Sequence, residues 1–517
     1  MGKLIGRLSL VSSLTLLSRF LGLGRDVLFF SCFGASLLGE AFILAFTFPN
    51  LFRRMLGEGT LSSAFIPVFT DSLKEKSIER AHFLLNQVTS RLFVFLGLAS
   101  LIVCVASYWA SSSGILNQPK WIEGLFLNSI SFGYVVLICS SAILVGALNS
   151  TGRFFEGAFS PIVLNLFMIF SMVVGKFFLG FDLTELAIAL CVSVLLAGVV
   201  QLLLPWLKLK KSLQWNFRLT LSASEEMEQI KSLFWVGALG AAVGQINILV
   251  SRFFAYSLDE SGGLSYLFLS SRLVELPLGV FAIAITTVFF PEMARAVSGG
   301  NRSKFLDSVY RGLRLTAGIT IPAAVGLALL AEPILTTLFE WGEFGKEEVQ
   351  DASVILLIAS FGLPFYSIST FLVKVYHSKK MMNIPLQAAI ISLSANLLFS
   401  VLLIGDFQVE GLAWANVLAA IMQTFYLILR LDELSLKTLL GNQPLYLFTV
   451  LLSATCMGLI IWLAEDVLFV PENKVENIIY LFVTIPSGVL TYGIFLSILR
   501  FPESRKLIEK IRVLRKG

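Results

Sequence analysis

Arginine dominates the charged positions inside the long apolar runs of this chain. Arg19, Arg25 and Asp26 fall in one run, Glu40, Arg53, Arg54 and Glu58 in the next, and Arg272 with Glu275 in a later one. A charge at bilayer depth is costly, so such residues normally face water, a ligand or a partner of opposite sign. A guanidinium stays protonated and holds phosphate oxygens through two parallel hydrogen bonds. Several arginines converging from different helices would make a pocket for a pyrophosphate or similar anion. Arg19, Arg25, Arg53 and Arg272 are the candidate ligands, and Asp26, Glu40, Arg54 and Glu58 the candidates for gating or support. Gly22 and Gly24 stand just before Arg25, and Gly57 and Gly59 enclose Glu58. Helices can break or bend at such glycines where backbone lines a cavity, so these four are candidate hinges. The competing reading makes Arg25–Asp26, and Arg53 or Arg54 with Glu58, structural ion pairs. Arg252, near the end of its run, can snorkel to the interface.

These residues need elements that live in lipid. Of 517 residues, 56% are hydrophobic and only 14% charged, with 45 Phe. A chain this apolar could not cover a soluble surface with polar groups. A bilayer core takes roughly 20 apolar residues as helix. That ruler predicts spans near 6–32, 38–70, 84–110, 125–148, 157–178, 185–207, 229–256 and 264–293. Six more fall near 309–337, 350–376, 383–404, 409–429, 444–463 and 476–499. The fold class expected is an all-α integral membrane protein with about fourteen transmembrane helices. The first run is expected to be retained as a helix, because no small-residue cleavage site follows Lys3 and Arg7 and Arg19 interrupts it.

Loop charge sets the orientation. With the N-terminus cytoplasmic, inner loops carry Lys74, Lys76, Arg80, Arg153, Lys208, Lys210, Lys211, Arg218, Arg295, Arg302, Lys304, Lys379, Lys380 and Lys437, and the tail from Arg500 to Lys516 is basic. The opposite side holds Lys120, Lys176, Lys346 and Lys474, each in a separate loop, with acids such as Asp259, Glu260, Glu343 and Asp466. The positive-inside rule then puts both termini in the cytoplasm. The basic tail could lie on the anionic inner leaflet.

An internal repeat divides the chain. Pro67 and Pro291 close the second and eighth spans, Pro161 and Pro385 open the fifth and eleventh, and both pairs are 224 residues apart. Six spans fit in that offset, so the halves run in the same direction. The expected division is 1–228, 229–440 and a pair of added helices with the tail at 441–517. Several function classes drop out. The five cysteines are scattered through apolar runs and His82 and His377 stand apart, so neither a disulfide frame nor a metal site is indicated. Gly22-Leu23-Gly24-Arg25 lacks dinucleotide spacing and no P-loop is present. No cofactor and no nucleic-acid partner are expected.

The stretch Ser18-Arg19-Phe20-Leu21-Gly22-Leu23-Gly24-Arg25-Asp26 resembles the first-helix signature of the MurJ (MviN) lipid II flippases. The resemblance continues through Phe48-Pro49-Asn50-Leu51-Phe52-Arg53-Arg54, Gly57-Glu58-Gly59 and Ala64-Phe65-Ile66-Pro67, and through Arg272-Leu273, Pro277-Leu278-Gly279-Val280 and Pro291. That family belongs to the multidrug/oligosaccharidyl-lipid/polysaccharide exporters, built from two six-helix lobes around a central cavity plus two C-terminal helices. The resemblance implies a transporter, not an enzyme. It would carry the undecaprenyl-pyrophosphate-linked peptidoglycan precursor across the bacterial inner membrane for cell-wall biogenesis. It further implies headgroup contacts for Arg19, Arg25, Arg53 and Arg272, and a groove for the lipid tail beside the added helices. Glu40 stands where the family usually has Asp and is expected to close the outer gate by pairing with an arginine. Ser271, where the family often has an acid, and Met381 with Ile384-Pro385, where it has Asp and Thr-Pro, depart from the pattern and put ion-coupling or gating roles there in doubt.

The mechanism expected is alternating access, driven by membrane potential or by a monovalent cation gradient. Lipid II and membrane lipids are the partners expected, with cell-wall synthesis or division proteins as further candidates. The alternatives are a related exporter of another lipid-linked oligosaccharide or of a cationic drug, an intramembrane glycosyltransferase, and a structural scaffold. A drug carrier would show intramembrane carboxylates in excess, the enzyme a catalytic set near a loop domain, and a scaffold would leave the cost of buried arginines unexplained.

Overall fold

The computed structural model describes residues 2–57, 60–259, 261–431, 444–464 and 473–499, and every described element is helical. The tail from Arg500, together with Lys437, Glu260 and Asp466, lies outside the described residues. The helices are α1 (Gly2–Phe33), α2 (Leu37–Phe52), α3 (Thr60–Asp71), α4 (Ile78–Ser112), α5 (Pro119–Ser131), α6 (Tyr134–Ser150), α7 (Phe155–Val173), α8 (Leu183–Leu213) and α9 (Glu225–Tyr256). They continue as α10 (Gly263–Pro277), α11 (Ile283–Ser298), α12 (Arg302–Leu329), α13 (Ala331–Phe339), α14 (Lys346–Ser378), α15 (Asn383–Leu429), α16 (Pro444–Leu463) and α17 (Lys474–Ile498). Among the described residues, nine helices are long and apolar enough to cross a membrane, or ten if the pair α5 and α6, bent by 41°, is one span.

Each expected span has its helix, and the differences have local causes. α15 contains two expected spans, separated at Gln408, whose φ of 45° breaks the helix. There the carbonyl oxygen of Leu403 comes so close that a Cβ on Gly411 would lie 2.5 Å from it, so the turn admits only glycine. The expected second span is interrupted by a π-helical turn, Arg53–Gly57, between α2 and α3. Further π turns follow at Ser72–Lys76, Val174–Leu179 and Leu278–Ala282, the last between α10 and α11. α1 is a different case. It runs unbroken through Gly22 and Gly24.

The chain forms two compact units, Met1–Ser265 with Trp341–Phe344, and Tyr266–Glu340 with the residues from Gly345 onward. In the first unit, Phe65, Phe69, Leu84, Leu144 and Trp215 form the heart of one apolar cluster. The segment after α8 is tied to α4 through polar groups: Trp215 Nε1 donates to Asn86 Oδ1 at 2.9 Å and Gln87 Nε2 to the Ser222 carbonyl at 2.9 Å. The Gln87 bond satisfies a backbone carbonyl of an irregular segment that has no ladder of its own. α9 packs on α3 and α2, so it joins this unit although the repeat assigns it to the second half. In the second unit, α12 and α14 meet where Gly312 faces the wholly buried Phe371, and α17 is held to α12 by Tyr492 Oη donating to the Gly318 carbonyl at 2.6 Å.

Candidate functional site

Arg19 and Arg25 are six residues apart on α1, which turns them about 240° from one another. Arg19 is accordingly exposed, whereas Arg25 is buried against α7. Arg25 donates from Nε and Nη2 to Asp26 Oδ1 at 3.0 and 2.5 Å, and from Nη1 to Asn165 Oδ1 at 3.1 Å. Asn165 in turn donates from Nδ2 to the Ser18 carbonyl at 3.1 Å. The Arg25–Asp26 ion pair anticipated as a structural alternative is therefore formed, and Asn165 extends it into a clasp between α1 and α7.

Arg53 and Arg54 open the π turn after α2, and both are half-buried. Pro49 sits within α2 just before this turn; without an N–H it cannot complete the helical ladder. Arg53 Nε donates to Asn50 Oδ1 at 3.0 Å. Gly57 ends the π turn, while Glu58 and Gly59 lie outside the described residues, and with them the expected Arg53 or Arg54 pairing to Glu58.

Glu40 is wholly buried, and its partner is not an arginine. Lys120 Nζ stands 2.7 Å from Glu40 Oε2, as an ion pair off the usual hydrogen-bond angle. Oε1 accepts the backbone N–H groups of Leu264 and Ser265 at 2.6 and 3.2 Å. Lys120 also donates to the Leu258 carbonyl at 3.3 Å and lies 5.1 Å from the ring centre of Tyr256, whose hydroxyl donates back to the Lys120 carbonyl. Lys120 takes the place expected of an arginine because it arrives with the first turn of α5 directly at the carboxylate, and the amides supply the remaining donors. One sequence signal pointed to it. A lysine in a helix's first turn opposes the helix dipole and calls for a nearby anion.

Arg252 does more than snorkel, since its Nη1 donates to the buried Thr47 Oγ1 of α2 at 2.6 Å.

Arg272 belongs to the second unit. It lies over Phe268 at 4.9 Å and its Nη1 is 3.5 Å from Glu275 Oε2, with about 30% of its side chain exposed. Phe268, Arg272 and Glu275 are spaced by four and three residues, which puts them on one helical face. Ser271, at the position where an acid is usual, donates to the Phe268 carbonyl at 2.8 Å.

The profile of the family described as Lipid II flippase MurJ matches residues 29–479. The chain is 33% identical over 496 residues to the probable lipid II flippase MurJ of Bdellovibrio bacteriovorus, covering 93% of this chain and 92% of the relative. The chain belongs to the MurJ lipid II flippase family. A second MurJ relative, from Buchnera aphidicola of Acyrthosiphon pisum, is 30% identical over 501 residues, covering 95% of this chain and 96% of its own. A solved structure, lipid II flippase MurJ in an inward closed conformation, superposes with a TM-score of 0.78 at 26% identity, covering 96% of this chain and 99% of that one. An inward-facing MATE family multidrug transporter of the MOP superfamily shares the fold, with a TM-score of 0.67 at 14% identity over 82% of this chain and 98% of that one.

Two further features of this MurJ-family chain bear on transport. An apolar pocket of about 470 Å³ in the second unit lies among Pro277, Phe281, Pro322, Met457, Ile485 and Tyr492. It thus has walls from the added helices α16 and α17. Among the described residues, no group of three or more His, Cys, Asp or Glu side chains is placed to hold a metal ion.

Proposed function

We propose that this chain moves lipid II, the undecaprenyl-pyrophosphate-linked peptidoglycan precursor, from the cytoplasmic to the periplasmic leaflet of the bacterial inner membrane. The full-length similarity to MurJ relatives carries this reading. The excess of arginine over carboxylate at intramembrane positions supports an anionic cargo. Arg19, Arg25, Arg53 and Arg272 contact the pyrophosphate, with Arg25 released from Asp26 as the phosphate replaces it. Arg54, Asp26 and Glu58 support these contacts. Gly57 ends the π turn that interrupts the second span, Gly22 and Gly24 leave room beside Arg25, and Gly59 is the fourth hinge glycine.

Glu40 with Lys120 forms the outer latch. It holds Leu264 and Ser265, the last residues before the chain passes into its second compact unit. The divisions 1–228 and 229–440 serve as the moving lobes, with 441–517 guiding the prenyl tail. Both termini are cytoplasmic. The protein works as a transporter without a catalytic step or bound cofactor, alongside the cell-wall synthesis machinery. An inside-negative potential favours outward movement of an anion by about 2.3 kcal/mol per charge per 100 mV, and a monovalent cation gradient is the alternative drive.

The test is translocation of fluorescent lipid II in proteoliposomes under an imposed potential and ion gradient, with Arg19→Ala, Arg25→Ala and Arg272→Ala compared after a folding check. Transport by the intact protein and its loss in folded variants is the result expected. No transport by the intact protein overturns the substrate, and transport by all variants at the intact rate overturns the arginine assignment.

A further inference from the structure

At one end of α7 and α8, a pocket of about 370 Å³ lies among Leu10, Arg153, Phe154, Phe155, Glu156 and Lys208. Its size is that of a small-ligand site. Glu156 is the unusual member. Only 9% of the residue is exposed, and its Oε2 is buried with no hydrogen-bond partner among the described residues. The nearest cation, Lys208 Nζ, stands 3.9 Å from Oε1, too far for a hydrogen bond. A carboxylate buried on these terms is expensive unless something donates to it. The first turn of α7, where Glu156 sits, favours a negative charge through the helix dipole, but it leaves the oxygen's hydrogen bonds unmade. Arg153 and Lys208 are both exposed beside it, and so are the aromatic faces of Phe154 and Phe155.

This pattern is one buried acceptor, two exposed cations and an apolar rim. The orientation proposed above puts it at the inner leaflet. We propose that the pocket binds the headgroup of a phospholipid bearing a primary ammonium. The ammonium donates to Glu156, the phosphate lies between Arg153 and Lys208, and the glycerol and acyl carbons rest on Leu10, Phe154 and Phe155. Charge complementarity selects this occupant. An anionic headgroup would satisfy the two cations yet leave Glu156 bare and repelled. A choline headgroup carries its charge without an N–H to donate.

The experiment is native mass spectrometry of the delipidated full chain, titrated with phosphatidylethanolamine, phosphatidylcholine or phosphatidylglycerol of identical acyl chains. The ethanolamine lipid is expected to bind about tenfold more tightly than either other lipid, the factor one charge-assisted hydrogen bond supplies. Glu156→Gln should reduce the ethanolamine lipid to the level of choline. Arg153→Ala with Lys208→Ala, with the folded state checked by size-exclusion chromatography before titration, should weaken both zwitterionic lipids alike. Equal binding of the three lipids by the intact chain overturns the proposal, as does an ethanolamine preference that survives Glu156→Gln. A preference for phosphatidylglycerol would mark a simple cationic patch and also overturn it. Because the readout is lipid binding, it stands or falls separately from lipid II transport.

Discussion

Lys120 Nζ lies 2.7 Å from the Oε2 of Glu40, 80 residues earlier in the chain, and both side chains are out of solvent. The opposite oxygen of that carboxylate accepts two backbone amides, so one buried charge joins α2, α5 and the start of α10. Removing one member strands the other. Glu40→Gln or Lys120→Met should each cost about 3–5 kcal/mol, whereas the double variant should cost clearly less than the sum. Thermal unfolding of the purified protein in detergent measures this. Additive losses would mean that the two residues act independently.

Asn165 bridges Arg25 and the Ser18 carbonyl, and a leucine there makes neither bond. Asn165→Leu should therefore destabilise by about 1–3 kcal/mol, because buried donors lose their partner. Asn165→Asp keeps the acceptor for Arg25 and should recover part of that loss. Unfolding midpoints for the three proteins decide the matter, and a leucine variant as stable as the parent would remove the clasp from the account.

A Cβ on Gly312 would fall 2.1 Å from Phe371 Cζ, a ring with no exposed surface and so no room to retreat. Gly312→Ala should cost about 1–3 kcal/mol through overpacking of α12 against α14. Adding Phe371→Leu should return part of it. A double variant less stable than both single ones would contradict this contact as the source.

α14 spans 33 residues with exposed lysines at or just past its two ends, Lys346 and Lys380. At 1.5 Å per residue it is roughly 50 Å long, enough to present those ends to opposite sides of a bilayer. In a variant with the five native cysteines replaced, Lys346→Cys should react with a membrane-impermeant maleimide added outside spheroplasts, and Lys380→Cys only after lysis. The reverse pattern would invert the proposed topology.

How much of this was legible beforehand differs by residue. The span pattern, the loop-charge asymmetry and the proline repeat are properties of order along the chain. Hydrophobic length and local charge act on each segment separately, so reading them needs no fold. The arginines were visible for the same reason: a charge in an apolar run is conspicuous wherever it packs. Their environments were not visible. That Arg25 is buried and Arg19 exposed depends on which face of α1 meets α7. Glu40 and Lys120 are 80 residues apart, and Arg25 and Asn165 are 140 apart, so only helix packing could pair them. Likewise α1 runs unbroken through Gly22 and Gly24, while the second span takes a π turn at Arg53–Gly57. Residue type sets the cost of a charge or a bend, but the neighbours that offset that cost come from distant segments, and tertiary structure alone brings them in.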